Sequence, residues 1–258
     1  MNAYAKLAER FERLGVLGDT LGILHWDTAT TMPQGAADAR GAQVSTLHVL
    51  RHELLTDPRV GDWVEDAEAA GESDPWKRAN LREMRRRHLT ERAVPEALVA
   101  AEAKATLNCE LVWRQARADS DFKALLPSLG EVLRLVKEVA AARAQALGVP
   151  LYDALLDRYE PGGSAARIDG IFGELEKFLT RVLPQVLERQ RSRPRPQLPS
   201  GPFALDRQKA LGERMMRAMG FDFTRGRLDV SHHPFCGGAS DDVRITTRYD
   251  EADFSSAL

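Results

Sequence analysis

Several things are scarce or missing in this chain, and each absence excludes something. There are only two cysteines, Cys109 and Cys236, far apart and without Cys-x-x-Cys spacing. That argues against a disulfide framework and fits a reducing compartment. Neither sign of charge is in excess: 36 Lys and Arg stand against 38 Asp and Glu, a formal net charge of −2. Nothing therefore advertises nucleic acid or an acidic membrane as a partner. No apolar run approaches the length of a bilayer. The segment Met1-Asn2-Ala3-Tyr4-Ala5-Lys6 turns charged at once and has no apolar signal core, so a cytoplasmic location is expected. A P-loop, a Gly-x-Ser-x-Gly elbow and a dinucleotide fingerprint are all missing, as are internal repeats and low-complexity segments.

What is present reads as helix. Leu7, Phe11, Leu14, Leu17, Leu21 and Leu24 recur at three- and four-residue steps until Met32-Pro33-Gln34-Gly35 stops them. A second stretch runs from Ala36 to Leu55 and is punctuated by Asp57-Pro58. Asp74 is placed to cap a helix that has Pro75 at its first position. Pro95 opens another, carrying Leu98, Leu107, Leu111 and Trp113. Asp121 to Leu147 is helical with an interruption near Pro127, and Gly148 ends it. A short helix around Tyr152 to Tyr159 leads to Glu160-Pro161-Gly162-Gly163. Ser164 then caps a long amphipathic helix in which Pro184 is a candidate kink. Four prolines between Ser192 and Pro202 make a linker. Leu205 to Met219 is a last helix, with Gly220 as its left-handed stop. Beyond it Arg227–Val230 and Val243–Thr247 alternate like two short strands. The expected architecture is mainly α, a large helical assembly (1–190), a linker (191–203), and a helix plus a small antiparallel β element near the C-terminus (204–258).

Four groups could carry chemistry. His48 and His52 share a helix face at zinc-ligand spacing, but Val49 and Arg51 occupy the positions where a zinc peptidase needs an acid, so two ordinary histidines are expected. The run Arg82-Glu83-Met84-Arg85-Arg86-Arg87-His88 could bind phosphates, although a solvated helix face is the simpler reading. Trp26-Asp27, with Thr30 and Met32-Pro33, reads first as a buried tryptophan with its partner acid. The stretch His233-Pro234-Phe235 to Arg244 differs in kind. Proline holds the preceding histidine extended, and Gly237-Gly238 permits a close approach. Asp242 and Arg244 flank Val243 and so share a strand face, continued by Thr246. An acid beside a guanidinium orients its fork for two-pronged recognition of a carboxylate. A β-hairpin with one surface ion pair would carry the same letters.

These residues resemble a known family. Leu228-Asp229-Val230-Ser231, His233-Pro234-Phe235 and Asp242-Val243-Arg244-Ile245-Thr246-Thr247-Arg248-Tyr249 are similar to segments of the thermostable (Taq-type) metallocarboxypeptidases, whose hallmarks include HPF and DxRxT. Trp26-Asp27 with Met32-Pro33, and Tyr152-Asp153-Ala154-Leu155-Leu156-Asp157 with Tyr159-Glu160-Pro161-Gly162, agree with it. The resemblance covers the whole chain. It implies a mostly helical fold with a small sheet and a zincin-like groove, of which this chain would be half. It also implies a homodimer, peptide substrates shortened from the C-terminus with broad specificity, and zinc or cobalt on a His-Glu-x-x-His helix plus a later glutamate.

No His-Glu-x-x-His occurs in the 258 residues. The chain is therefore expected to be the N-terminal portion of such an enzyme, truncated before its metal helix, with no metal bound and no turnover alone. Arg244, oriented by Asp242, is the candidate for binding or orienting the substrate's terminal carboxylate or backbone, beside Phe235 and Thr246. His233 is the candidate for shaping the site or contacting an oxyanion. The alternative is a naturally short, non-catalytic helical module that binds a peptide or a partner.

Overall fold

The computed structural model describes residues 2–195, 197, 199–231 and 233–257, and the side chains of Leu107 and Leu111 lie outside what it describes. The chain divides into two compact units, Met1–Asp57 with Pro196–Leu258, and Pro58–Arg195. The N-terminal helices thus belong with the C-terminal strands. Among the described residues no helix is long and apolar enough to cross a membrane.

The first unit holds α1 (Ala3–Thr30), α2 (Ala37–Thr56), α9 (Leu205–Ala218) and the strands β1 (Gly226–Val230), β2 (Cys236–Ala239) and β3 (Asp242–Thr247). Asn2 caps α1 by accepting a hydrogen bond from the Ala5 N–H. Leu7, Leu14 and Trp26 are its buried positions, and each large apolar side chain so buried contributes about 2 kcal/mol. Arg10 joins α1 to the end of α2, donating to the Leu54 carbonyl at 2.8 Å and pairing with Asp57 at 3.2 Å. The sheet order is β1-β3-β2. The antiparallel pair is β2 with β3, not the expected 227–230 with 243–247. β1, however, runs parallel to β3, with Arg227 beside Arg244 and Asp229 beside Thr246. The alternation of 227–230 and 243–247 marks strands but carries no direction, and the segment with Gly237-Gly238 between them adds a third strand, β2.

The second unit is helical: α3 (Pro58–Ala70), α4 (Pro75–Arg92), α5 (Glu96–Ala118), α6 (Phe122–Leu147), α7 (Leu151–Leu156) and α8 (Ala165–Arg191). Pro58 does not merely end α2; it is the first residue of α3, where its missing N–H is harmless. Asp74 caps α4 as the sequence suggests, accepting from the N–H groups of Trp76 and Lys77. Pro127 does not interrupt α6, and Pro184 lies inside a continuous α8. Neighbouring turns tolerate the loss of one ladder bond. Gly148 closes α6 at φ +68°. The core includes Val60, Val64, Leu81, Met84, Val94, Leu125, Leu135 and Val139. No residue of α8 is buried among those described, so its apolar face, from Ile171 to Leu187, is exposed.

Candidate functional site

The candidate site is built where the sheet meets α1. The approach depends on glycine. A Cβ on Gly22 would stand 2.9 Å from the Gly238 carbonyl oxygen, and Gly238, at φ +87°, has room for no Cβ at all beside Asp242. This contact seats β2 on α1. One helical turn after Gly22 comes Trp26, only 6% exposed. Two guanidiniums lie against its indole: Arg244 at 4.2 Å from the ring centroid and Arg227 at 5.0 Å. Each such contact is worth about 0.5–2 kcal/mol.

Each of these arginines has its own aspartate. Arg244 donates from Nε and Nη2 to the two oxygens of Asp242, at 2.6 and 2.7 Å. Arg227 grips Asp229 in the same way, at 2.7 Å on both bonds. The two pairs are adjacent because Arg227 and Arg244 are register partners on parallel strands. Their environments differ. The Arg244 side chain is 15% exposed, that of Arg227 53%. The hydrogen bond from Arg244 holds the Asp242 carboxyl below the ordinary carboxylate range, against a smaller desolvation effect and helped by the charge of Arg227. The bond to Asp229 raises the Arg227 pKa further. Each guanidinium keeps its Nη1 side outside the aspartate grip.

The expected residues do not all occupy equivalent places. Thr246 is 4% exposed. Its hydroxyl oxygen accepts from the Phe235 N–H at 2.9 Å and meets the Ser231 hydroxyl at 2.8 Å, while its own N–H donates to the Phe235 carbonyl. Thr246 thus holds the His233–Phe235 turn, and its hydroxyl is already engaged. The Phe235 ring is half-buried and packs on the His25 ring, with centroids 5.2 Å apart. The side chain of His233 is exposed. Trp26 is buried as expected, but Asp27 is not its partner. Asp27 pairs with Arg40 at 2.5 Å and accepts from the Thr31 hydroxyl, and these two contacts lower its pKa, Thr31 more than Arg40. Among the described residues the Trp26 Nε1 has no hydrogen-bond partner.

Sequence reasoning missed Arg227, His25 and Gly22. The Arg227-x-Asp229 spacing mirrors Asp242-x-Arg244 and was a usable signal. The other two become visible only once α1 and the sheet are docked.

Elsewhere, the basic run is paired with acids: Arg85 with Glu68 at 2.5 Å, and Arg86 with Glu83 at 2.8 Å and Asp157 at 2.7 Å. His88 is buried against Gly61. Asp153 and Asp157 are buried too, accepting from the N–H groups of Ala165 and Gly162, so this acidic segment shapes the turn into α8.

With this geometry in view, the comparisons place the chain in a class of peptidases. The family model described as Carboxypeptidase Taq (M32) metallopeptidase matches residues 6–258, and the chain belongs to that family. Thermostable carboxypeptidase 1 of Thermus thermophilus is 36% identical over 267 residues, which cover 99% of this chain and 52% of the relative. Among solved structures, Trypanosoma cruzi metallocarboxypeptidase 1 is similar with a TM-score of 0.89 and 40% identity, covering 99% of this chain and 52% of that one. A Pyrococcus furiosus carboxypeptidase has a TM-score of 0.87 and 30% identity, over 100% and 52%. The chain spans about half the length of the relatives it matches.

The family is one of metallopeptidases. Among the described residues no three His, Cys, Asp or Glu side chains cluster. Among the described residues His48 and His52 belong to no group of three that could hold a metal ion.

Proposed function

We propose that these residues form the substrate-binding wall of a metal-dependent carboxypeptidase that releases C-terminal amino acids from peptides with broad specificity. The observation that supports this reading is Arg244, fixed on one edge by Asp242 and on one face by Trp26. A guanidinium so held presents its remaining donors in one direction, and a free carboxylate is the group that matches them. That carboxylate is what distinguishes a peptide's end from its interior.

In this reading Asp242 orients Arg244, and Phe235 shapes the wall beside it. Thr246 keeps the turn in place, and the exposed His233 imidazole is offered to the oxyanion that develops at the scissile carbonyl. The zinc or cobalt expected for the family has its ligands outside these 258 residues. The chain alone is inactive and binds no stoichiometric metal. A homodimer in the cytoplasm, acting on peptides, is the matching setting.

The test is a longer chain, encoded by the same reading frame and reaching a His-Glu-x-x-His segment. It is expected to release C-terminal amino acids when supplied with zinc or cobalt. In it Arg244→Met is expected to lower kcat/KM by about 100-fold, the value of a lost charged fork. Inactivity of the longer chain with both metals, or full activity of the Met variant, would sink the reading.

A further inference from the structure

Outside the candidate site, the second unit contains a small cavity of about 160 Å³. Four arginines line it, Arg86, Arg87, Arg143 and Arg158, with only two carboxylates, Glu91 and Asp157. The arginines come from α4, from α6 and from the residue two beyond the end of α7. Three separate elements therefore bring guanidiniums to one place.

Their pairing is incomplete. Arg86 is satisfied by Glu83 and Asp157. Arg143 is not. Its side chain is 13% exposed, and its Nε is buried with no hydrogen-bond partner among the described residues. The nearest acid oxygen, on Glu91, stands 4.0 Å from Nη2, beyond hydrogen-bond reach. Arg158 makes no side-chain ion pair among the described residues. A buried guanidinium Nε left without an acceptor is costly, and arginines still outnumber carboxylates four to three when Glu83, the second partner of Arg86, is counted with the lining.

We propose that this cavity is a binding site for a small tetrahedral oxyanion of the phosphate class. Size supports the choice, since organic ligands and cofactors usually occupy about 300–1,000 Å³. Valence supports it too. Donors converging from three elements need acceptors in several directions. A tetrahedral oxyanion offers four oxygens where a carboxylate offers two in one plane. An anion also offsets the excess of arginine over carboxylate around the cavity. The basic run from Arg82 to His88 thus supplies two of the four arginines, and it needs the rest of the fold to make a site.

Titration of the 258-residue chain with inorganic phosphate in a calorimeter, at constant ionic strength, tests this. One saturable site per chain is expected. Sulfate should compete and acetate should not. Arg158→Gln, at an exposed position, should fold normally by circular dichroism and weaken phosphate binding about tenfold, the value of one charged hydrogen bond. Arg143→Gln should abolish the heat. Absence of a saturable heat, equal affinity in the Arg158 variant, or competition by acetate as strong as by sulfate would each overturn the assignment.

Discussion

The chain uses arginine in two contrasting ways. On the sheet, Arg227 and Arg244 each have an aspartate two residues away in the same strand, and both rest on one indole. Four charges cancel there, and the guanidiniums are held by covalent neighbours. In the helical unit, Arg86 finds Asp157 across 71 residues of chain, while Arg143, lining the same cavity, has its Nε buried without an acceptor among the described residues. The first cluster is closed and serves to hold a fork in one orientation. The second is open and carries an excess of positive charge. A closed cluster positions, and an open one has capacity for a ligand.

Substitutions can break this comparison, and the largest loss is expected where the open cluster is tied down. Asp157→Ala removes the carboxylate that accepts from both Arg86 and the Gly162 N–H. It should lower unfolding free energy by about 3 kcal/mol in denaturant titration, because a largely buried guanidinium loses the more buried of its two carboxylate partners and the Gly162 N–H loses its acceptor. On the sheet the most vulnerable point is a backbone one. Gly238→Ala places a Cβ 2.2 Å from the Asp242 carbonyl at φ +87°, and about 2–3 kcal/mol should be lost. Thr246→Val comes next, at about 1–2 kcal/mol, since it strips the Phe235 N–H and the Ser231 hydroxyl of their shared acceptor. If Thr246→Val cost nothing, the turn would be held by other contacts and the closed-cluster description would need revision.

Acid tests the same cluster. Asp242 has a lowered pKa in the folded chain, chiefly through its hydrogen bond to Arg244. A carboxyl whose folded pKa is lowered contributes stability above its unfolded value, about 3.9, and loses that contribution as pH falls through the folded value. Unfolding free energy measured from pH 5 downward should therefore fall, and Asp242→Asn should fall less steeply over that window. Parallel curves for the two proteins would show that Asp242 is not linked to folding.

Much of this was legible in the amino-acid order, for reasons that differ by element. Helix α1 announces itself through apolar spacing, α4 through the cap Asp74, and α8 through both its apolar spacing and the cap Ser164, all of them local signals. The Asp242-x-Arg244 fork is equally local, since a strand places i and i+2 on one face. Strand direction was not legible, because alternation is the same for a parallel and an antiparallel neighbour. Nor was α3, whose opening Pro58 looks like a stop when only the preceding helix is considered. The indole under both guanidiniums requires Gly22 to meet Gly238 across more than 200 residues, and no local pattern reports that. The exposed face of α8 teaches a related lesson: periodicity declares that a face is apolar, not what covers it.

The smallest expected effect sharpens the contrast most. Arg158 lines the open cavity and makes no side-chain ion pair among the described residues. Its exposed side chain buries little, so Arg158→Gln should change unfolding free energy by no more than about 0.5 kcal/mol in phosphate-free buffer. A slight gain is the favoured sign, because a positive charge leaves a lining that already carries too many. Added phosphate should then separate the two proteins: the parent gains stability as the anion fills its site, and the variant gains less at the same concentration. A closed cluster would respond in the opposite way, with Asp242→Asn destabilising at neutral pH and phosphate making no difference to the loss. If Arg158→Gln instead cost as much as Asp157→Ala, Arg158 would be a structural member of the cluster, and the distinction between an arginine that holds the fold and one that awaits a ligand would fail at this position.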